Sequence, residues 1–112
     1  MPVKYLFIVF GFMFIVNSYA SDISETNAIV LDIDLGRNLV TTEKSSLYIS
    51  NSVLFNSSPV IYKLKPGYSI YYVYKKNTNP TEVLSLEYYE HDEDLRNYNI
   101  EEAKKRRISN EE

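Results

Sequence analysis

The chain has no cysteine, no tryptophan, one histidine and three glycines among its 112 residues. Without cysteine there is no disulfide, no thiolate metal site and no thiol nucleophile. Only Gly36 and Gly67 lie beyond residue 20, so no glycine-rich loop is available to cradle phosphates. A serine triad would have to use His91, which sits in the acidic run Glu90-His91-Asp92-Glu93-Asp94. A basic surface is also missing. The formal net charge is −3 and the sequence pI is about 5.2. Phosphate neutralisation on nucleic acid and binding to anionic membranes both want the opposite sign. These absences argue against an enzyme and against a cofactor.

What is present begins with an export signal. Lys4 precedes an unbroken apolar run from Tyr5 to Val16, and Asn17-Ser18-Tyr19-Ala20 then turns polar. A twelve-residue helix rises ~18 Å, short of the ~30 Å hydrocarbon core. Ser18 and Ala20 are small residues suited to a cut between Ala20 and Ser21. Residues 1–20 therefore read as a cleavable signal peptide. They leave a secreted or periplasmic protein with no stable membrane anchor. Without Lys4 the balance is 11 basic and 15 acidic residues, a net charge of −4.

Residues 21–27 read as a polar lead-in, and 28–89 as an antiparallel β domain. Over Ala28–Leu35 the period is two, with Ile29, Leu31, Ile33 and Leu35 opposite Val30, Asp32 and Asp34. Further β-type runs cover Leu39–Thr42, Ser46–Ser50, Val53–Phe55, Val60–Leu64, Tyr68–Lys75 and Thr81–Tyr89. Gly36-Arg37-Asn38, Asn56-Ser57-Ser58-Pro59, Lys65-Pro66-Gly67 and Asn77-Thr78-Asn79-Pro80 separate them as turns. Short strands at this spacing predict a small all-β antiparallel sandwich, immunoglobulin-like or similar, or a small barrel. Composition shifts at Glu90, and residues 90–112 read as a charged tail. Asn99 with Glu102 predicts a capped short helix over about 100–109.

Asn79-Pro80-Thr81 is similar to a loop of the chagasin-type cysteine-protease inhibitors. The run goes on with Glu82-Val83 instead of Thr-Gly and an aromatic residue, so it assigns no family.

The positive functional signal is tyrosine. Nine tyrosines follow residue 20. Tyrosine offers a large amphipathic contact area at low entropic cost. On Tyr68–Lys75 the alternation puts Tyr68, Ile70, Tyr72 and Tyr74 on one face, and Ser69, Tyr71, Val73 and Lys75 on the other. Tyr71, Tyr72, Tyr74 and Lys75 are the candidate binding residues. The acidic run at His91 and the pair Asp32/Asp34 read as solvated charges, with no metal assigned. The reading is an exported binding module that contacts another exported or surface protein, of the adhesion or assembly accessory, immunity-protein or inhibitor type. A glycan or small-ligand binder that stacks on its tyrosines is the alternative.

Overall fold

In the computed structural model of the chain, residues 22–111 are described, with side chains through residue 107. The signal segment 1–20 and the cut between Ala20 and Ser21 lie outside the described residues. The elements are β1 (Ile23–Asp34), β2 (Leu39–Thr42), β3 (Ser46–Tyr48), β4 (Leu54–Phe55), β5 (Ser58–Pro59), a 3₁₀ turn (Val60–Lys63), β6 (Ser69–Lys75), β7 (Thr81–Tyr89) and helix α1 (Glu93–Glu111).

The mainly β fold with one C-terminal helix matches the expectation, and the sheet closes as a five-stranded barrel in the order β1-β2-β3-β7-β6. All neighbours are antiparallel except β3 and β7, which run parallel, with Leu47 beside Thr81. This is the strand order of small Greek-key barrels of the OB type. Two sheets share the long strand β1. Its first half, Ile23–Ile29, pairs with β6. Its second half, Val30–Asp34, pairs with β2. β4 and β5 form a separate two-stranded hairpin.

The barrel interior is filled by Val30, Val40, Leu47, Ile49, Ile70 and Tyr72, with Val60 and Ile61 of the 3₁₀ turn packed against them. Each such aliphatic side chain contributes roughly 1.5–3 kcal/mol on burial. Two bulges shift the inward parity. In β1 the register slips between Val30 and Asp32. Ala28 and Val30 therefore point inward before it and Ile33 after it, in place of the single Ile29–Leu35 face that the alternation suggested. On β7 the pairing jumps from Ser85 to Val83, leaving Leu84 unpaired and exposed. A bulge moves one extra residue into a strand and swaps the faces beyond it.

Three sequence expectations change. Residues 21–27 are largely strand, since β1 starts at Ile23. Val60–Lys63 is a 3₁₀ turn that buries Val60 and Ile61, where the apolar run suggested a strand. Helix α1 starts seven residues earlier than Ile100, at Glu93. Its N-cap is Asp92, whose Oδ1 accepts the Leu95 amide at 2.9 Å. Glu93 and Asp94 then place negative charge at the positive end of the helix dipole.

One side of the barrel carries a stack of rings. Phe55 tilts against Tyr88 with centroids 5.0 Å apart, and Tyr88 stacks on Tyr68 at 6.0 Å. Cations cover both ends, with Lys63 5.8 Å from the Phe55 centroid and Arg96 5.6 Å from that of Tyr68. The stack ties the β4–β5 hairpin, β7, the turn before β6 and α1 together.

Candidate functional site: a groove between barrel and helix

Helix α1 is polar, so it cannot dock by a wide apolar stripe. It uses Arg96, Asn99, Ala103 and Arg106 instead, which recur at helical spacing and so face one way. Arg96 Nε donates to the Pro66 carbonyl at 2.9 Å. Asn99, expected as a cap, donates from Nδ2 to the Gly67 carbonyl at 3.0 Å. Ala103 is fully buried. Gly67 allows this approach: its φ is +93°, and a Cβ there would stand 2.4 Å from Cβ of Arg96.

The fourth anchor, Arg106, donates to Glu43 Oε2 at 3.2 Å. The Glu43 side chain is buried while that of Arg106 is half exposed. Glu43 sits where β2 has just ended and β1 continues without it. There its carboxylate accepts the Ile29 amide through both oxygens, at 3.0 and 3.1 Å. The next residue, Lys44, donates from Nζ to the Asn27 carbonyl and to Thr26 Oγ1. Two side chains of the β2–β3 turn thus stand in for backbone partners that a longer β2 would have supplied. A buried carboxylate with charge-assisted partners is stable, whereas one without them is costly.

Between this corner and the helix lies an open groove of about 550 Å³. Asn27, Ile29, Lys44, Tyr71, Tyr89 and Arg106 line it. The Tyr71 phenol is raised above its ordinary value, first by its hydrogen bond with the Glu25 side chain and then by desolvation and nearby negative charge. The groove combines two tyrosines, two cations and the Glu43 carboxylate. That composition suits polar contact with a polypeptide.

The tyrosine strand alternates as its sequence suggests, but the four candidate residues do not converge. Tyr71 is exposed on the outer face and lines the groove. Tyr72 is core, 2% exposed, so it is removed from any surface site. Burial is the main cause that pushes its phenol upward, against an opposing hydrogen bond with Ser45. Tyr74 is half buried, its ring 5.6 Å from that of Tyr72. Lys75 is exposed at the far end of β6 and pairs with Glu82 at 3.8 Å. Two of its three tyrosines turn inward, which leaves Tyr71 as the exposed ring of this strand.

Glu43, Lys44 and Tyr89 carry no site signal in the sequence, and Arg106 reads there only as part of the basic run Lys104–Arg107. Of the other charged candidates, His91 and Asp34 have structural partners. His91 Nε2 lies 2.9 Å from Ser69 Oγ. Asp34 accepts the Arg37 amide at 3.3 Å. Asp32 is exposed.

Fold and site together define a small β-barrel domain flanked by a helix, with a polar groove between the two. The chain belongs to the family of type 4 fimbrial biogenesis proteins PilY2, whose family model matches residues 20–92. That span takes in every barrel strand and ends on the helix cap, Asp92. Among solved structures, the crystal structure of a fimbrial biogenesis protein PilY2 from Pseudomonas aeruginosa PAO1 has the same fold. It superposes with a TM-score of 0.58 at 17% identity, covering 70% of this chain and 97% of that one. No curated protein matches the sequence.

Proposed function

We propose that the protein is an exported accessory of type 4 pilus biogenesis that works by protein–protein contact and without catalysis. The observation that carries this reading is the family match over residues 20–92, which spans the whole barrel. The segment 1–20, read as an export signal, supports a site of action outside the cytoplasm. The groove supports contact with a polypeptide, with Tyr71 and Tyr89 as exposed rings beside Lys44 and Arg106. The partner is another exported component of pilus assembly.

The test is genetic. Deleting the gene is expected to abolish or sharply reduce surface pili. The full chain restores them, and a version lacking residues 2–20 does not. Wild-type pili in the deletion strain would sink the proposal.

A further inference from the structure

The first half of β1 is paired on one side only. Val30 exchanges bonds with the β6 side through Tyr68 O and Gly67 N, at 3.0 and 2.7 Å, and Lys76 N donates to Asp22 O at 2.9 Å. Even-numbered residues of β1 therefore direct their backbone groups toward β6. By alternation, Ile23, Glu25, Asn27 and Ile29 direct theirs the other way. Glu43 takes the Ile29 amide and Lys44 takes the Asn27 carbonyl. Among the described residues nothing takes the Asn27 amide, or either backbone group of Glu25 or Ile23. The gap begins where β2 ends, since β2 pairs with β1 only from Val30 onward.

Sheet edges of this kind are normally blunted by proline, a bulge or an inward-facing charge. Residues 23–29 have none of these. Their register with β6 is unbroken and their inward residues are Ser24, Thr26 and Ala28. Among the described residues Lys44 is the lysine that blunts this edge, and it covers only the end at Asn27.

From this we infer that the open edge of β1 over Ile23–Asn27 takes up an extended segment of a partner protein as an added strand, with a basic residue opposite Glu25. The inference rests on the protein-contact reading above. Main-chain bonds would supply affinity, and side chains on one face of the added strand would enter the groove by Tyr71. Charge selects the occupant. A second copy pairing along the whole open edge would be antiparallel about Glu25 and would set Glu25 against its own twin. Like charges directly opposite one another are destabilising. A partner strand with lysine or arginine at that position meets Glu25 favourably instead.

The backbone parity gives a sharp test. Asn27→Pro removes an outward amide and leaves the β6 ladder intact, so the variant should fold and melt near the wild type. The protein purified from its native host with isotope label is titrated with a short synthetic peptide of alternating threonine and valine carrying one central lysine. Exchange of the Glu25 and Asn27 amides is expected to slow about tenfold at millimolar peptide. Asn27→Pro should lose that binding. Glu25→Lys, which leaves the backbone untouched, should reverse the preference toward a peptide with central glutamate. Equal binding by wild type and Asn27→Pro, or no binding at all, overturns the inference. Protection of these amides before peptide is added also overturns it, because the edge would then be filled by the chain itself or by a second copy. Pilus assembly in a strain carrying Asn27→Pro separates the two claims. A deletion strain with normal pili defeats the functional reading while leaving the peptide result to judge the edge.

Discussion

Gly67 lies directly beneath Arg96, so close that a single added methyl would stand 2.4 Å from its Cβ and 2.6 Å from its Cα. The turn before β6 and the first turns of α1 are thus one packed unit. Gly67→Ala forces the helix off its seat and also demands a positive φ from a residue with a Cβ. The expected cost is roughly 2–4 kcal/mol, read as a lower urea midpoint with loss of helical ellipticity.

The corner at Glu43 predicts an asymmetry. Glu43→Ala strands the Ile29 amide and frees Arg106, and it should cost about 2–3 kcal/mol. Arg106→Ala leaves Glu43 with the amide it already holds, and Arg106 is half exposed, so about 1 kcal/mol is expected. Urea melts of the two single variants and the double variant check this. Equal single costs would refute the assignment of Glu43 as the hub.

Burial of Tyr72 predicts alkaline sensitivity. Its phenol is raised in the folded state, so folding favours the neutral form. That stability is fully present below the unfolded value of about 10 and fades as pH rises through the higher folded value. Thermal midpoints of the wild type should therefore fall above roughly pH 10. Tyr72→Phe, which cannot ionise, should show a shallower decline.

Truncation after Asp92 removes an element that lies beyond the family match. The barrel strands all precede it, and the core cluster contains no helix residue. The shortened protein is expected to keep its β circular dichroism signal, lose the helical one and melt at a lower temperature. Complete unfolding would show that the anchors at Pro66, Gly67 and Glu43 are indispensable to the barrel.

The strands were legible in the sequence because alternation and turn chemistry mark them directly. Tyr68–Lys75 and Thr81–Tyr89 lie within a residue of β6 and β7. The faces were legible only as far as the first bulge. Nothing in Ala28–Leu35 announces that Val30, between two leucine-type neighbours, is the inward residue. That choice is made by pairing to two different strands. The helix start was hidden because Asp92 lies in an acidic run that reads as solvent-exposed, whereas Asn99 has the better local cap pattern. The groove was illegible for a related reason. Glu43 and Arg106 meet only through the fold, sixty-three positions apart, and neither has a local motif. Lys65-Pro66-Gly67 was readable as a turn, but not as the floor on which a helix rests.

The parallel pairing of β3 with β7 sets the timing of assembly. Leu47 finds Thr81 thirty-four positions on, and Ile23 finds Lys75 fifty-two positions on. Hairpins such as β1–β2 can form as soon as they are synthesised, but the ring has no closed form until its final strand has arrived. Such long-range closure is slow. The ring therefore cannot close until β7, which ends at Tyr89, is available to bridge β3 and β6.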